Sequence, residues 1–199
     1  MIELKKGTAE DSSSLAPLIL ASAPVLLQFL FGSRDVAKRF IEHAAKQIDG
    51  QYSSTRHIIA TNSNLPIACM TVWHANMPES FRAGTLASLT KFLEPSVLSH
   101  LIRINPLLEE VFLAPKHDQL CIGHLSVSAE HQGQGIGRKL IAHAIKLAKQ
   151  SLLNSIVLDV EDSNEQAISF YHACGFIEIT ETKFSPTAQT FVRMEFRLH

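Results

Sequence analysis

Between residues 120 and 150 the spacing of apolar positions changes period within a few residues. An apolar, strand-like run enters the turn Gln132-Gly133-Gln134-Gly135-Ile136-Gly137. Behind the turn, Ile136, Leu140, Ile141, Ala144, Leu147 and Ala148 recur three or four apart, which is the stripe of an amphipathic helix. A further apolar run at 155–160 predicts a buried strand. Strand, helix and strand within about forty residues imply a right-handed crossover between two parallel strands, 118–127 and 155–160.

The rest of the chain reads in the same terms. Residues 2–5 alternate as a short strand, and Asp11-Ser12-Ser13-Ser14 offers N-caps for a helix ending near Pro24. Residues 25–31 are apolar enough for a second helix, which Gly32-Ser33 breaks. Val36, Phe40, Ile41, Ala44 and Ile48 predict a third helix that Gly50 would stop. The β-rich runs 56–61 and 66–73, separated by Asn62-Ser63-Asn64, predict a hairpin. From 76 to 115 leucines and phenylalanines come three or four apart, with Pro95 and Pro106 among them, and predict two or three short helices. This segment reads as an added helical layer, a homodimer contact or a substrate-binding element. At the end, Asp162-Ser163-Asn164 caps a helix that Gly175 closes, and two strands follow.

Composition narrows the class. A chain of 199 residues is long enough to bury roughly 70% of its unfolded surface in one domain. Eighteen Lys+Arg against nineteen Asp+Glu leave it near neutrality, so no long-range field recruits nucleic acid or an anionic membrane. Any anion site is therefore local. Cys69, Cys121 and Cys174 lie in apolar surroundings without C-x-x-C spacing, and no apolar window approaches a membrane span or a signal peptide. A cytoplasmic protein with reduced thiols is expected.

Glycines at 133, 135 and 137 let the main chain take positive φ and let a ligand approach without meeting a Cβ. The first helical N–H groups lack intrahelical acceptors and, with the helix dipole, favour a pyrophosphate-like anion. The Walker A pattern fails because Ile136-Gly137-Arg138-Lys139 stands where Gly-Lys-Ser/Thr is needed. A dinucleotide-binding oxidoreductase is disfavoured because Arg138 occupies the position of its third glycine, although Asp159 sits where a ribose-binding acid belongs. A packing turn with no ligand is the remaining bland reading.

Gln132-x-x-Gly135-x-Gly137 resembles the Q/R-x-x-G-x-G/A loop of the GNAT superfamily of N-acetyltransferases. Thirty residues on, Asn164-Glu165-Gln166-Ala167-Ile168-Ser169-Phe170-Tyr171-His172-Ala173-Cys174-Gly175-Phe176 resembles the family's N-x-x-A-x-x-F/L-Y-x-x-x-G-F signature. The resemblance is loose over 1–73 and close over 120–176, while 76–115 departs from it as a helical insertion within a single domain, 1–199. It implies an α/β (α+β) GNAT fold: a mixed, mostly antiparallel sheet, helices on both faces, and two parallel strands splayed to admit acetyl-CoA.

The resemblance also implies roles. The backbone of Gln132, Gly133, Gln134, Gly135, Ile136, Gly137 and Arg138 would hold the pyrophosphate of acetyl-CoA, with the Arg138 side chain as a second phosphate partner. Leu125, Ser126 and Val127 would hydrogen-bond the pantetheine arm and acetyl oxygen. Asn164 would cap its helix, bind the coenzyme, or do both. Tyr171, two helical turns on, would stand beside the coenzyme sulfur as general acid. A phenol of pKa about 10 is a weaker acid than a thiol of about 8.5, so a hydrogen bond to the developing thiolate suits it better than full proton transfer.

For the general base, His124, Glu130, His131, Asp118, Asp159 and Glu161 are candidates, with water-relayed deprotonation the alternative. His124 is the preferred residue. In a regular strand it points away from Leu125 and Val127, whereas a bulge would reverse that parity. His117, His124 and His131 lack metal-ligand spacing, so no metal is expected. The expected activity is acetyl transfer from acetyl-CoA to a primary amine by direct attack, with neutrality favouring a small-molecule acceptor over a protein. A CoA-binding sensor that has lost transfer is the alternative.

Overall fold

A computed structural model describes residues 2–198 of the chain. The apolar N-terminal segment follows strand β1 (Glu3–Lys6) as two helices, α1 (Ser12–Ser22) and α2 (Pro24–Phe31). Pro24 opens α2 rather than closing α1: at the first helical position its missing N–H costs nothing and its fixed φ suits the helix. The two helices meet at a 105° bend, and no single helix among the described residues is long and apolar enough to cross a membrane.

Helix α3 (Arg34–Ala45) begins where Ser33 Oγ accepts the N–H of Val36, 3.2 Å away. It buries Ala37, Phe40, Ile41 and Ala44 but stops a turn earlier than its periodicity predicts, leaving Ile48 92% exposed. The cause is long-range. Asp49 accepts two hydrogen bonds from Arg56, at 2.6 and 2.7 Å, and Thr55 Oγ1 donates to the Ile48 carbonyl, so the chain is drawn out of helical register.

Strands β2 (His57–Asn62) and β3 (Leu65–His74) form the expected hairpin. Ser63 and Asn64 take φ of 48° and 67°, the pair of positive values that matches a two-residue turn to the twist of its strands. Residues 76–115 form two helices, α4 (Glu79–Phe92) and α5 (Pro95–Val111). Pro95 starts α5, and Pro106 lies inside it without ending it. Next come β4 (Gln119–Val127), α6 (Ile136–Gln150), β5 (Ser155–Glu161), α7 (Glu165–Ala173), β6 (Ile177–Phe184) and β7 (Gln189–Arg197). The strand order is β1-β2-β3-β4-β5-β7-β6. The β4–β5 pair is parallel, while β1–β2, β2–β3, β5–β7 and β6–β7 are antiparallel.

The chain divides into two compact units. The first comprises Met1–Thr71, Met77–Arg103 and His124–Leu140. Its core holds Leu15, Ile19, Phe31, Phe40, Ile41, Ile59 and Met70, all essentially without solvent exposure. Helix α4 joins this core by an unusually close approach of backbones. A Cβ on Gly84 would lie 2.7 Å from the carbonyl carbon and oxygen of Asp49, so only glycine fits there. Phe92 of α4 packs on Phe40 and His43 of α3, and the Arg56 guanidinium lies over the Phe81 ring.

The second unit comprises Val72–Asn76, Ile104–Gly123 and Ile141–His199. Its sheet centres on β5, which pairs in parallel with β4 from Gln119↔Ser155 to Cys121↔Val157 and antiparallel with the whole of β7. Ile156, Val157, Leu158 and Met194 are buried in it, with Phe176 and Phe184 against them.

Candidate active site

The glycine turn lies in the first unit, between β4 and the start of α6 at Ile136. Gly133 and Gly135 take φ of 73° and 76°, values that an L side chain adopts only with strain. A Cβ built on either would meet nothing within 4 Å. These glycines are therefore required by conformation and leave open space in front of the loop, rather than making room for a packed neighbour. The two glutamines of the turn bend back to staple it: Gln132 Nε2 donates to the Val127 carbonyl and Gln134 Nε2 to that of Glu130, both at 3.2 Å. With the side chains so occupied, the loop offers a ligand its backbone amides and the N-terminus of α6. That is the shape a pyrophosphate needs, so the residues present fit a coenzyme A diphosphate.

Up-chain, His124 lies within β4 and takes φ of 50°. Histidine is among the few side chains that visit the left-handed region with any frequency. The His124 ring packs into the core of the first unit. There the ring lies parallel to that of Tyr52, with centroids 5.1 Å apart. Its Nδ1 is 3.0 Å from Nε2 of His57, which is fully buried and whose Nδ1 is 2.8 Å from the Ser53 carbonyl oxygen. Burial lowers the pKa of His57 to about 4, and desolvation together with the neighbouring His57 lowers that of His124 well below the ordinary histidine value. Both rings are neutral at physiological pH.

The adjoining residues of β4 have distinct surroundings. Ser126 is buried, and its hydroxyl donates to the Leu18 carbonyl at 2.7 Å, so its side chain serves the core. Leu125 and Val127 are half-buried. All three lie beyond the last parallel pair, Cys121↔Val157. Among the other base candidates, Ser128 Oγ is 2.9 Å from His131 Nδ1, and Asp118 Oδ2 accepts from Asn154.

In the second unit, Asn164 caps α7, its side-chain oxygen accepting the N–H of Ala167 at 3.1 Å and leaving the amide nitrogen out of the cap. Tyr171 lies on the same helix, 7% exposed, with its ring against Phe170 and Phe176. Burial pushes its phenol pKa up, with the Cys174 thiol adding to the shift. The Asp159 carboxylate faces Arg193 across β5 and β7, yet desolvation outweighs that partner and raises its pKa to about 6. Among the described residues no group of His, Cys, Asp and Glu could hold a metal ion.

Comparison with known proteins reads this geometry. The family model described as the Acetyltransferase (GNAT) family matches residues 100–176, which contain the glycine turn, Asn164 and Tyr171. Over this segment the chain is similar to the GNAT family of acetyltransferases. It is 34% identical over 101 residues to N-alpha-acetyltransferase 50 of Danio rerio, covering 50% of this chain and 55% of that protein. It is 30% identical over 69 residues to N-acetyltransferase 8B of Homo sapiens, covering 35% of this chain and 30% of that protein. The chain thus spans about half or less of the length of these relatives. Its GNAT fold is shared with an N-acetyltransferase from Staphylococcus aureus Mu50, at a TM-score of 0.69 and 14% identity over 98% of this chain and 100% of that one. It is shared also with Ard1 from Thermoplasma volcanium, at 0.61 and 11% over 100% and 98%.

Three buried residues at these positions carried no signal in the sequence. His57 and Tyr52 carry no motif, and the partner of His57 is 67 positions away. Arg193, buried against Asp159 and donating to the Leu113 carbonyl at 2.9 Å, was equally silent.

Proposed function

We propose that this protein is an acetyl-CoA-dependent N-acetyltransferase that acts by direct attack of a primary amine. The observation carrying the reading is the open glycine turn, with Gly133 and Gly135 at positive φ and nothing in front of them, inside a segment matching the family. Bound acetyl-CoA supplies the thioester carbonyl that the amine attacks, and the carbon–sulfur bond breaks to release CoA. The amides of 132–138 hold the diphosphate. The backbone of Leu125, Ser126 and Val127 orients the acetyl group and stabilises charge on its oxygen, a contribution worth about 3 kcal/mol per donor lost. Tyr171, kept protonated by its raised pKa, donates a hydrogen bond to the departing sulfur.

We favour a small amine as acceptor, since a net charge of -1 gives no field to collect a strongly charged macromolecule. The free thiols at 69, 121 and 174 are in keeping with the reducing, cytoplasmic setting we assign to it. A panel of polyamines, amino sugars, amino acids and peptides, assayed for thiol release from acetyl-CoA, tests the proposal. Amine-dependent release supports it. Binding of acetyl-CoA with no release across the panel would reduce the protein to a coenzyme-binding module.

A further inference from the structure

We propose that His57 is a positioning residue that holds His124 in one tautomer, with hydrogen on Nδ1, so that the lone pair of His124 Nε2 takes the proton of the reacting amine. The proposal rests on the N-acetyltransferase reading for the identity of the proton donor, while the tautomer follows from the hydrogen bonds alone. The Ser53 carbonyl can only accept, so His57 Nδ1, 2.8 Å away, carries a hydrogen. A neutral imidazole protonated at Nδ1 has its lone pair at Nε2. His124 Nδ1 stands 3.0 Å from that lone pair and must donate to it. Its own Nε2 is then unprotonated. The two ring planes differ by 10° with centroids 5.3 Å apart. With the two nitrogens this close, the rings meet end to end in one plane, the best geometry for the bond.

The surroundings hold this chain in place. Ser53 is fixed by its N–H to the Gly50 carbonyl and by its hydroxyl to that of Gln47, at 3.0 and 2.7 Å. Tyr52 covers one face of His124, and Cys69 Sγ donates to the His124 carbonyl at 3.2 Å. His57 has no exposed surface while His124 keeps some, so His124 is the member a substrate can reach.

The chemistry is specific about when the base acts. A ring whose pKa is depressed cannot strip an ammonium of pKa about 10. It stays unprotonated, however, and ready for the far more acidic N–H of an amine nitrogen already bonding to the carbonyl carbon. That N–H bond breaks and a new one forms at His124 Nε2. The imidazolium charge is then shared through His124 Nδ1–H and His57 to the Ser53 carbonyl, and the proton returns from Nε2 to solvent. The titratable neighbours, Tyr52 and Cys69, are held neutral by burial, the thiol at about 12, so neither opposes the transfer.

Two measurements on the full chain test this. In imidazole 15N–1H spectra near neutral pH, His124 is expected to be protonated at Nδ1 alone. His57→Phe should scramble that pattern, and His57→Gln, which keeps an acceptor for His124 and a donor for Ser53, should preserve it. In the transfer assay, His57→Phe is expected to lower kcat roughly tenfold or more with the KM for acetyl-CoA nearly unchanged, and His57→Gln to recover most of the rate. Protonation of wild-type His124 at Nε2, or an unaltered rate in His57→Phe, would overturn the proposal. If wild type acetylates no amine, the transferase reading falls together with the role of Nε2, and the ring spectra still decide the tautomer.

Discussion

Asp159 and Arg193 sit opposite one another on β5 and β7, with Arg193 Nη1 3.3 Å from the carboxylate and both side chains at most 10% exposed. The carboxylate pKa is nonetheless raised, to about 6, because desolvation exceeds the attraction of its partner. The pair is therefore costly to leave incomplete rather than a source of stability. We expect Arg193→Met to destabilise the fold by about 3–5 kcal/mol in urea melts, and Asp159→Asn added to it to recover most of that loss. A single-variant cost no larger than that of a surface substitution would refute this account.

Gly135→Ala separates ligand binding from folding. Holding alanine at φ of 76° costs about 1–2 kcal/mol, and the methyl group points into the open space before the loop. We expect a fall of a few degrees in Tm and a loss of roughly tenfold or more in acetyl-CoA affinity by calorimetry. An unchanged affinity would mean that the coenzyme does not use this turn.

The reach of local pattern explains what was legible. The glycine turn, the Asn164 cap and Tyr171 lie within single elements whose spacing is set by the helix and the strand, and they stand where periodicity put them. The stripe from Ile136 to Ala148 is buried as read, apart from a half-buried Leu147. Where a distant residue intervenes, periodicity fails: Asp49 is captured by Arg56, and α3 ends before Ile48. The pairing of His57 with His124 likewise joins residues 67 positions apart, with His124 in left-handed backbone, which no spacing encodes.

Gly84→Ala tests how α4 is seated. In an ordinary helix interior this change stabilises by about 1 kcal/mol. Here the new methyl would meet the Asp49 carbonyl at 2.7 Å, and overpacking against backbone costs about 1–3 kcal/mol. The clash should win, lowering Tm and loosening the Ser80–Asp49 and Arg56–Asp49 hydrogen bonds. A more stable variant would show that α4 is free to move away.

Tyr171→Phe keeps the ring packing against Phe170 and Phe176 and deletes only the hydroxyl. We expect kcat to fall about tenfold or more, with acetyl-CoA affinity and Tm close to wild type. Because burial raises the phenol pKa, wild type should show no loss of rate from tyrosine ionisation up to about pH 10. Equal turnover in the two proteins would remove Tyr171 from the mechanism.

The buried histidine pair gives stability a pH dependence of known sign. His57 has a pKa of about 4 when folded and about 6.5 when unfolded, so between these values the unfolded chain binds more protons. Its contribution is fully present above about pH 6.5 and is lost as pH falls toward 4, and the depressed His124 acts in the same direction. Asp159 acts oppositely, since its raised pKa favours the folded state as pH drops from about 6 toward 3.8. The two are separated by comparing wild type with His57→Gln, in which Asp159 is unchanged. Between about pH 7 and pH 4.5, wild type should lose about 2–3 kcal/mol more stability in urea melts than the variant. Parallel pH profiles would show that the pair is protonated, or solvated, in the folded protein.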